Sequence, residues 1–107
     1  MATVDKFITL DAATAIGPGA TADFGSAQTH ITLHVVPAGV LAGGVVSLQV
    51  SMDGTTWVAY SNTGVLTGSF GGSIGPALEA AGSFRYARAN VDVTIIGGTV
   101  SAWLMAS

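Results

Sequence analysis

The stretch Val91–Leu104 reads VDVTIIGGTVSAWL and consists of two alternating runs joined by two glycines. Side chains of a β-strand alternate between its two faces, and paired glycines between such runs are typical of a tight hairpin whose turn needs positive φ. A turn at Gly97 and Gly98 therefore predicts two antiparallel strands with one apolar face. The core residues predicted on that face are Val91, Val93, Ile95, Val100, Ala102 and Leu104.

The same alternation recurs upstream, in residues 30–35 (HITLHV) and 46–52 (VSLQVSM), and less cleanly in residues 4–11. Asp53 and Gly54 follow the second of these runs as a turn, because Asp-Gly is a common hairpin connection. A four-residue loop at this point pairs Val50 with Ala59 and predicts Val50 and Trp57 in the core.

The remaining segments predict turns and loops. Residues 17–19 (GPG) are a turn signal, and residues 61–82 form a long Gly-rich loop region with room for one helical turn at 76–81. Residues 1–7 are a candidate N-terminal arm. The whole of residues 1–107 is predicted as one all-β domain, a small antiparallel β-sandwich or jelly roll of about seven or eight strands.

Charge is scarce in this sequence. Charged residues make up 8% of the chain, and three basic residues face six acidic ones for a net charge of −3; a typical soluble domain is about 25% charged. A nucleic-acid partner requires a basic surface and a membrane helix requires roughly 20 consecutive apolar residues, so neither is expected. A surface with so few charges favours a protein that packs against other proteins.

The chemistry-bearing residues predict no active site. His30 and His34 lie four residues apart in an alternating strand, which separates them by about 13 Å and prevents them from sharing one metal ion. The six acidic residues are scattered, cysteine is absent, and no nucleophile or phosphate-binding motif occurs. We therefore expect no catalytic residues, no metal and no cofactor, and we expect the protein not to be an enzyme.

Aromatic residues and methionines supply the candidate binding residues. Trp103 and Met105 fall on the face opposite the core, so Trp103 either packs under the loop region 61–82 or anchors a protein interface. The candidate interface residues are Phe7, Phe70, Trp103 and Met105. A sugar-binding platform is the other possibility, and its candidates are Trp57, Tyr60, Tyr86 and Trp103.

Three motifs carry a family resemblance: SMDGTTW at residues 51–57, FRYARANV at 84–91 and GGTVSAW at 97–103. Together they resemble small virion proteins of tailed phages with the pattern S-L-D-G-x-x-W, A-R-Y-V-R-A-N-V and G-G-T-V-T-A. The chain departs from that pattern at Phe84, where a small residue is usual, and at Ala87, where a larger aliphatic is common.

The resemblance implies a non-enzymatic structural protein of the virion, assembled in the host cytoplasm, of the capsid decoration or cement type. It implies other virion proteins as partners, the major capsid protein first among them, and a homo-oligomer such as a trimer. The alternative is a receptor-binding or glycan-binding module of a phage tail or fibre.

Overall fold

The computed structural model describes residues 4–69 and 77–106, with side chains described from residue 7 onward. The strands are β1 Val4–Ala13, β2 Gly17–Pro18, β3 Ala22–Ser51, β4 Val58–Asn62, β5 Thr67–Ser69 and β6 Ala77–Ala106. They form a six-stranded sheet in the order β1-β6-β3-β4, with β2 paired to β6 and β5 paired to β3, and every pairing is antiparallel. The all-β prediction is confirmed, and the described strands number six instead of seven or eight. No helix in the described ranges could span a membrane.

The two long strands, β3 and β6, bend back on themselves. Each has 30 residues, which would measure about 100 Å if straight, but the longest dimension of the molecule is 38 Å. The pairing shows how they bend: Leu33 of β3 pairs with both Leu78 and Leu104, near the two ends of β6. In return, Ala87 of β6 pairs with both Ala22 and Val50. The middle of β3 therefore lies between the two ends of β6, and the middle of β6 lies between the two ends of β3.

The core lies along these paired segments. Buried residues alternate with more exposed ones, as expected for a sheet with one apolar face. The central buried residues are Ile31, Leu33, Val35, Val46, Leu48, Val50, Ala87, Ala89, Val91, Val100, Ala102 and Leu104. Of the residues predicted for the core, Val50, Val91, Ile95, Val100 and Leu104 are all buried.

A buried threonine fastens β1 over this core. The Oγ1 of Thr9 donates to the carbonyl oxygen of Ala20 at 2.7 Å and accepts from the backbone N–H of Ala89 at 3.0 Å. The backbone N–H of Ala20 in turn donates to the carbonyl oxygen of Thr9 at 2.7 Å. The hydroxyl of Thr9 is therefore satisfied although the residue is buried, and it joins β1, the segment before β3, and β6.

The predicted hairpin turn at Gly97 and Gly98 is wrong. Both glycines lie inside β6, where Gly98 pairs with Gly39 and Ile96 pairs with Gly43. Residues 40–42 of β3 leave the pairing with β6 and pair with β5 instead. These three residues therefore lie opposite the single residue Gly97 of β6. Gly97 has φ +92°, and a Cβ on it would overlap the carbonyl oxygen of Val40. The glycines permit a close approach of two backbones instead of a turn.

The prediction that Val93 is a core residue is also wrong, since its side chain is 48% exposed. The pairing of β3 with β6 changes register between Gly43 and Val46, which adds residues on one side of the ladder. Three consecutive exposed residues, 92–94, consequently separate buried Val91 from buried Ile95. Such a bulge moves side chains from one face to the other without leaving a sign in the alternation.

The hairpin at Asp53 exists with a different register. Val50 pairs with Val58, one residue away from the predicted partner Ala59, and β4 begins only after Trp57. The connection is therefore longer than the predicted four-residue loop. Trp57 is half-buried and lies outside the buried core.

Two further local predictions are wrong. The expected turn at residues 17–19 contains β2, in which Gly17 pairs with Val91. Residues 77–81, predicted as part of a helical turn, extend as a strand against His30–His34 because long-range pairing outweighs local helix propensity.

Residues 4–7 of the predicted arm belong to β1. Residues 1–3 and 70–76, including the candidate interface residue Phe70, lie outside the described ranges.

Replacing Gly97 by alanine should lower the free energy of unfolding by at least about 2 kcal/mol, because backbone strain adds to the overlap with Val40. Gly68→Ala is the matched control: Gly68 has φ +96°, but nothing lies within 4 Å of a Cβ placed on it. We expect that control to lose only about 1 kcal/mol. Urea denaturation measures both losses, and equal losses would contradict the close backbone approach.

The bulge predicts different sensitivities for two valines two residues apart. Val91→Thr should destabilise the fold by about 1–3 kcal/mol because it buries a hydroxyl. Val93→Thr should change stability by less than about 0.5 kcal/mol because that side chain is largely in solvent. If β3 and β6 paired here without a bulge, Val91 and Val93 would both face the core. The two substitutions would then lower stability equally in thermal or urea denaturation.

Candidate protein-interaction surfaces

Asp53 organises the connection between β3 and β4. Its Oδ1 accepts the backbone N–H groups of Thr56 at 2.8 Å and Thr55 at 2.9 Å, and the hydroxyl of Ser51 at 3.0 Å. The Ser51 hydroxyl oxygen accepts the backbone N–H of Gly54 at 2.9 Å. These hydrogen bonds, that of Thr56 foremost, hold the pKa of Asp53 far below its usual range because they favour the carboxylate. The turn therefore carries a fixed negative charge.

A groove of about 310 Å³ lies beside this turn. Its lining is mostly apolar and consists of Val50, Ser51, Met52, Asp53, Thr56, Val58 and Phe84. Met52 and Val58 are exposed at its mouth. A cavity of this size and lining suits a single apolar anchor from a partner.

Tyr60 connects the two strands that border the groove. Its ring meets that of Phe84 edge to face, with centroids 6.2 Å apart. Its hydroxyl donates to the carbonyl oxygen of Ala81 at 3.1 Å and accepts the N–H of Ala81 at 3.3 Å. Tyr60 thereby holds β4 close to the first part of β6.

A second surface lies on the side of the sheet that faces away from the core, and we call it the outer face. Trp103 pairs with Ile8 of β1 and with His34 of β3, while Met105 pairs with Thr32. Directly opposed residues of an antiparallel pair point to the same side. Ile8 and Met105 are exposed, and Trp103 and His34 are half-buried. Two of the predicted interface residues, Trp103 and Met105, thus share one surface.

Of the other two predicted interface residues, Phe70 lies outside the described ranges and Phe7 does not join the outer face. Phe7 is half-buried and packs against the core, next to Leu104 in the pairing. The four aromatic residues of the sugar-platform alternative do not all share one surface, since Tyr60 packs on Phe84, Trp57 lies against Arg88 and Trp103 is on the outer face. The predicted turn residue Gly54 lies against the ring of Tyr86.

Both arginines bind within the chain. Arg85 donates to the carboxylate of Asp23 at 2.8 and 3.1 Å; this hydrogen bonding lowers the pKa of Asp23 and raises that of Arg85. Arg88 lies 4.1 Å above the ring of Trp57 and donates to Gln49 at 2.7 Å. The guanidinium that covers its ring explains why Trp57 is half-buried without belonging to the core.

The two histidines lie on the same side of β3, four residues apart, because buried Ile31 and Leu33 alternate with them. His30 lies 3.7 Å from Glu79, across the pairing of β3 with β6, and His34 belongs to the outer face. Within residues 4–69 and 77–106, no group of three His, Asp or Glu side chains could hold a metal ion.

The groove beside Asp53 was not predicted. Val58 and Phe84 come together only because β4 is held against β6, and their separation of 26 positions has no local pattern. Phe84 itself offered a signal, since it departs from the small residue usual in the phage virion pattern. A large ring replacing a small residue marks a place where this chain packs differently.

No protein-family model matches the chain, and no curated protein matches it in sequence. Among solved structures, the SPBc2 prophage-derived protein YomS has a similar fold, with a TM-score of 0.64 and 14% sequence identity. The match covers 100% of this chain and 96% of that one. The likeness therefore concerns the whole fold of both chains.

Asp53→Asn should destabilise the protein at neutral pH because the amide lacks the charge that these hydrogen bonds favour. The folded pKa of Asp53 lies below the ordinary 3.8, so its contribution is complete above about pH 5 and is lost as the pH falls toward the folded pKa. Urea denaturation should show a constant gap between wild type and variant from neutral pH to about pH 5, narrowing below about pH 4.

The control is Asp11→Asn, which replaces an exposed carboxylate that makes no hydrogen bond within the described part of the chain. This control should leave stability close to wild type throughout. A gap for Asp53→Asn that stays unchanged into strong acid would show that the charge does not hold the turn.

Proposed function

We propose that this protein is a non-enzymatic structural component of a phage particle, and that it decorates and stabilises the capsid through protein–protein contacts. The observation that carries the proposal is the fold, which is similar over the full chain to that of the SPBc2 prophage-derived protein YomS. The motifs at residues 51–57, 84–91 and 97–103 support the same origin, because they resemble virion proteins of tailed phages.

The surface supports an assembly role. Only 8% of the residues are charged, and both arginines bind side chains of their own chain. Exposed apolar side chains such as Ile8 and Met105 occupy the outer face. Apolar surface rimmed by polar residues marks sites of protein association. We assign the outer face to contact with the capsid shell.

The bent sheet fits a sandwich of the kind expected from the sequence. Because β3 and β6 double back, one half of each lies in a different part of the sheet from the other half. We propose that these halves form the two layers of a small β-sandwich, which would place the outer face on the outside of one layer.

The proposal predicts that particles lacking this protein are less stable. Capsids from a phage deleted for the gene should disrupt at a lower temperature in calorimetry, and added purified protein should restore the wild-type transition. Imaging should show many symmetric copies on the shell. Particles that keep their thermal stability but fail to adsorb to cells would contradict the proposal and indicate the receptor-binding alternative.

Two isoleucine variants test the outer face. Ile8→Lys places a charge on that face, where the residue is 50% exposed, and should abolish restoration of the deleted capsids. Ile16→Lys introduces the same charge between β1 and β2, where the residue is 65% exposed, and should restore them normally. Equal behaviour of the two variants would contradict the assignment of this face.

A further inference from the structure

The dipeptide Asp53-Gly54 is chemically reactive in a flexible chain. The backbone nitrogen of Gly54 can attack Cγ of Asp53, because glycine has no side chain to shield that nitrogen. A C–N bond forms, and the amide proton leaves with the carboxyl hydroxyl as water. Water then opens the cyclic succinimide at either carbonyl, which gives aspartate or isoaspartate. Asp53 is the one acidic residue of the sequence that precedes a glycine.

The hydrogen bonds of Asp53 oppose the first requirement of this reaction, a protonated carboxyl group whose hydroxyl can leave. Its Oδ1 accepts the backbone N–H groups of Thr56 at 2.8 Å and Thr55 at 2.9 Å, and also the hydroxyl of Ser51. This hydrogen bonding, that from Thr56 foremost, lowers the pKa of Asp53. The reactive acid form is therefore scarce at neutral pH.

Ser51 opposes the second requirement, a Gly54 nitrogen that gives up its proton. The Oγ of Ser51 accepts the N–H of Gly54 at 2.9 Å and that of Asp53 at 3.2 Å, while its own proton is donated to Asp53. A deprotonated Gly54 nitrogen would face the lone pairs of this oxygen. Ser51 is only 2% exposed, so these hydrogen bonds are shielded from competing water.

We propose that the hydroxyl of Ser51 protects the Asp53-Gly54 peptide bond from isomerisation, and that this bond is a modification site that reacts when Ser51 releases Gly54. Isoaspartate at position 53 would add a carbon to the backbone between β3 and β4. It would also move the carboxylate away from the N–H groups of Thr55 and Thr56. The inference concerns the chemical lifetime of this turn and does not depend on the proposed function.

Ageing of the purified protein at neutral pH tests the proposal. Mass spectrometry of its peptides, with fragmentation that distinguishes isoaspartate from aspartate, measures the reaction at position 53. Folded wild type should form isoaspartate at least about tenfold more slowly than the same chain unfolded in urea, and Ser51→Ala at least about tenfold faster than folded wild type. Folded wild type that reacts as fast as the unfolded chain would overturn the proposal.

Ser47→Ala is the matched control. Ser47 lies on the same strand, is 1% exposed, and donates its hydroxyl to Oδ1 of Asp92 at 3.0 Å. This variant loses a similar buried hydrogen bond, but outside the turn, and should isomerise at position 53 at the wild-type rate. Equal acceleration in both variants would show that general loss of stability controls the reaction, and would overturn the role of Ser51. Circular dichroism checks that both variants are folded during ageing.

Amide hydrogen exchange supplies a test that needs no variant. In folded wild type, the N–H of Gly54 should exchange at least about tenfold more slowly than in the urea-unfolded chain, because Ser51 holds it. Exchange at the unfolded rate would mean that this N–H is not held, and would overturn the inference even if Ser51→Ala fails to fold. Neither result bears on capsid decoration, which is tested separately by the restoration of deleted capsids.

Discussion

The pairing of β3 with β6 is the constraint on which the other features of the structure depend. Leu33 has Leu78 on one side and Leu104 on the other, so the two ends of β6 must both reach the same part of β3. This is possible only if both strands bend, and the bend requires backbones that approach as closely as Gly39 and Gly98 do. β1, β4 and β5 then add to positions that this pairing has created. The contacts span long sequence separations, so the strands stabilise one another only when the whole sheet has formed.

The sequence predicts what each residue does within a strand better than it predicts which strand lies beside it. The alternation at Leu33, Val50 and Val100 correctly indicates a buried face, because burial depends on a period of two that is visible locally. The pattern around Gly97 and Gly98 was equally clear, but it led to a turn. Two glycines serve a hairpin turn and a close backbone approach equally well, and the choice depends on β3, more than fifty residues earlier in the chain. Val93 shows the same limit, since its exposure results from a shift in pairing with Val45.

The interaction surfaces divide in a similar way. Trp103 and Met105 could be assigned to the outer face from alternation alone, and the structure places Ile8 beside them. The groove beside Asp53 could not be predicted, because Phe84 reaches it from a distant strand. The scarcity of charge also gains a structural explanation. Arg85 and Arg88 bind Asp23, Gln49 and the ring of Trp57. Both arginines therefore fasten strands together, and exposed apolar side chains such as Ile8 and Met105 remain on the outer face.

Nuclear Overhauser effects measured on isotope-labelled protein test the central pairing most directly. The structure predicts backbone contacts from the segment around Leu33 to those around both Leu78 and Leu104, together with contacts between Gly39 and Gly98. A set of contacts joining Ile96 to Thr99 and Ile95 to Val100, with none from Gly39 to Gly98, would contradict it. That result would mean that residues 91–104 form a local hairpin and that the doubled-back sheet of β3 and β6 does not exist.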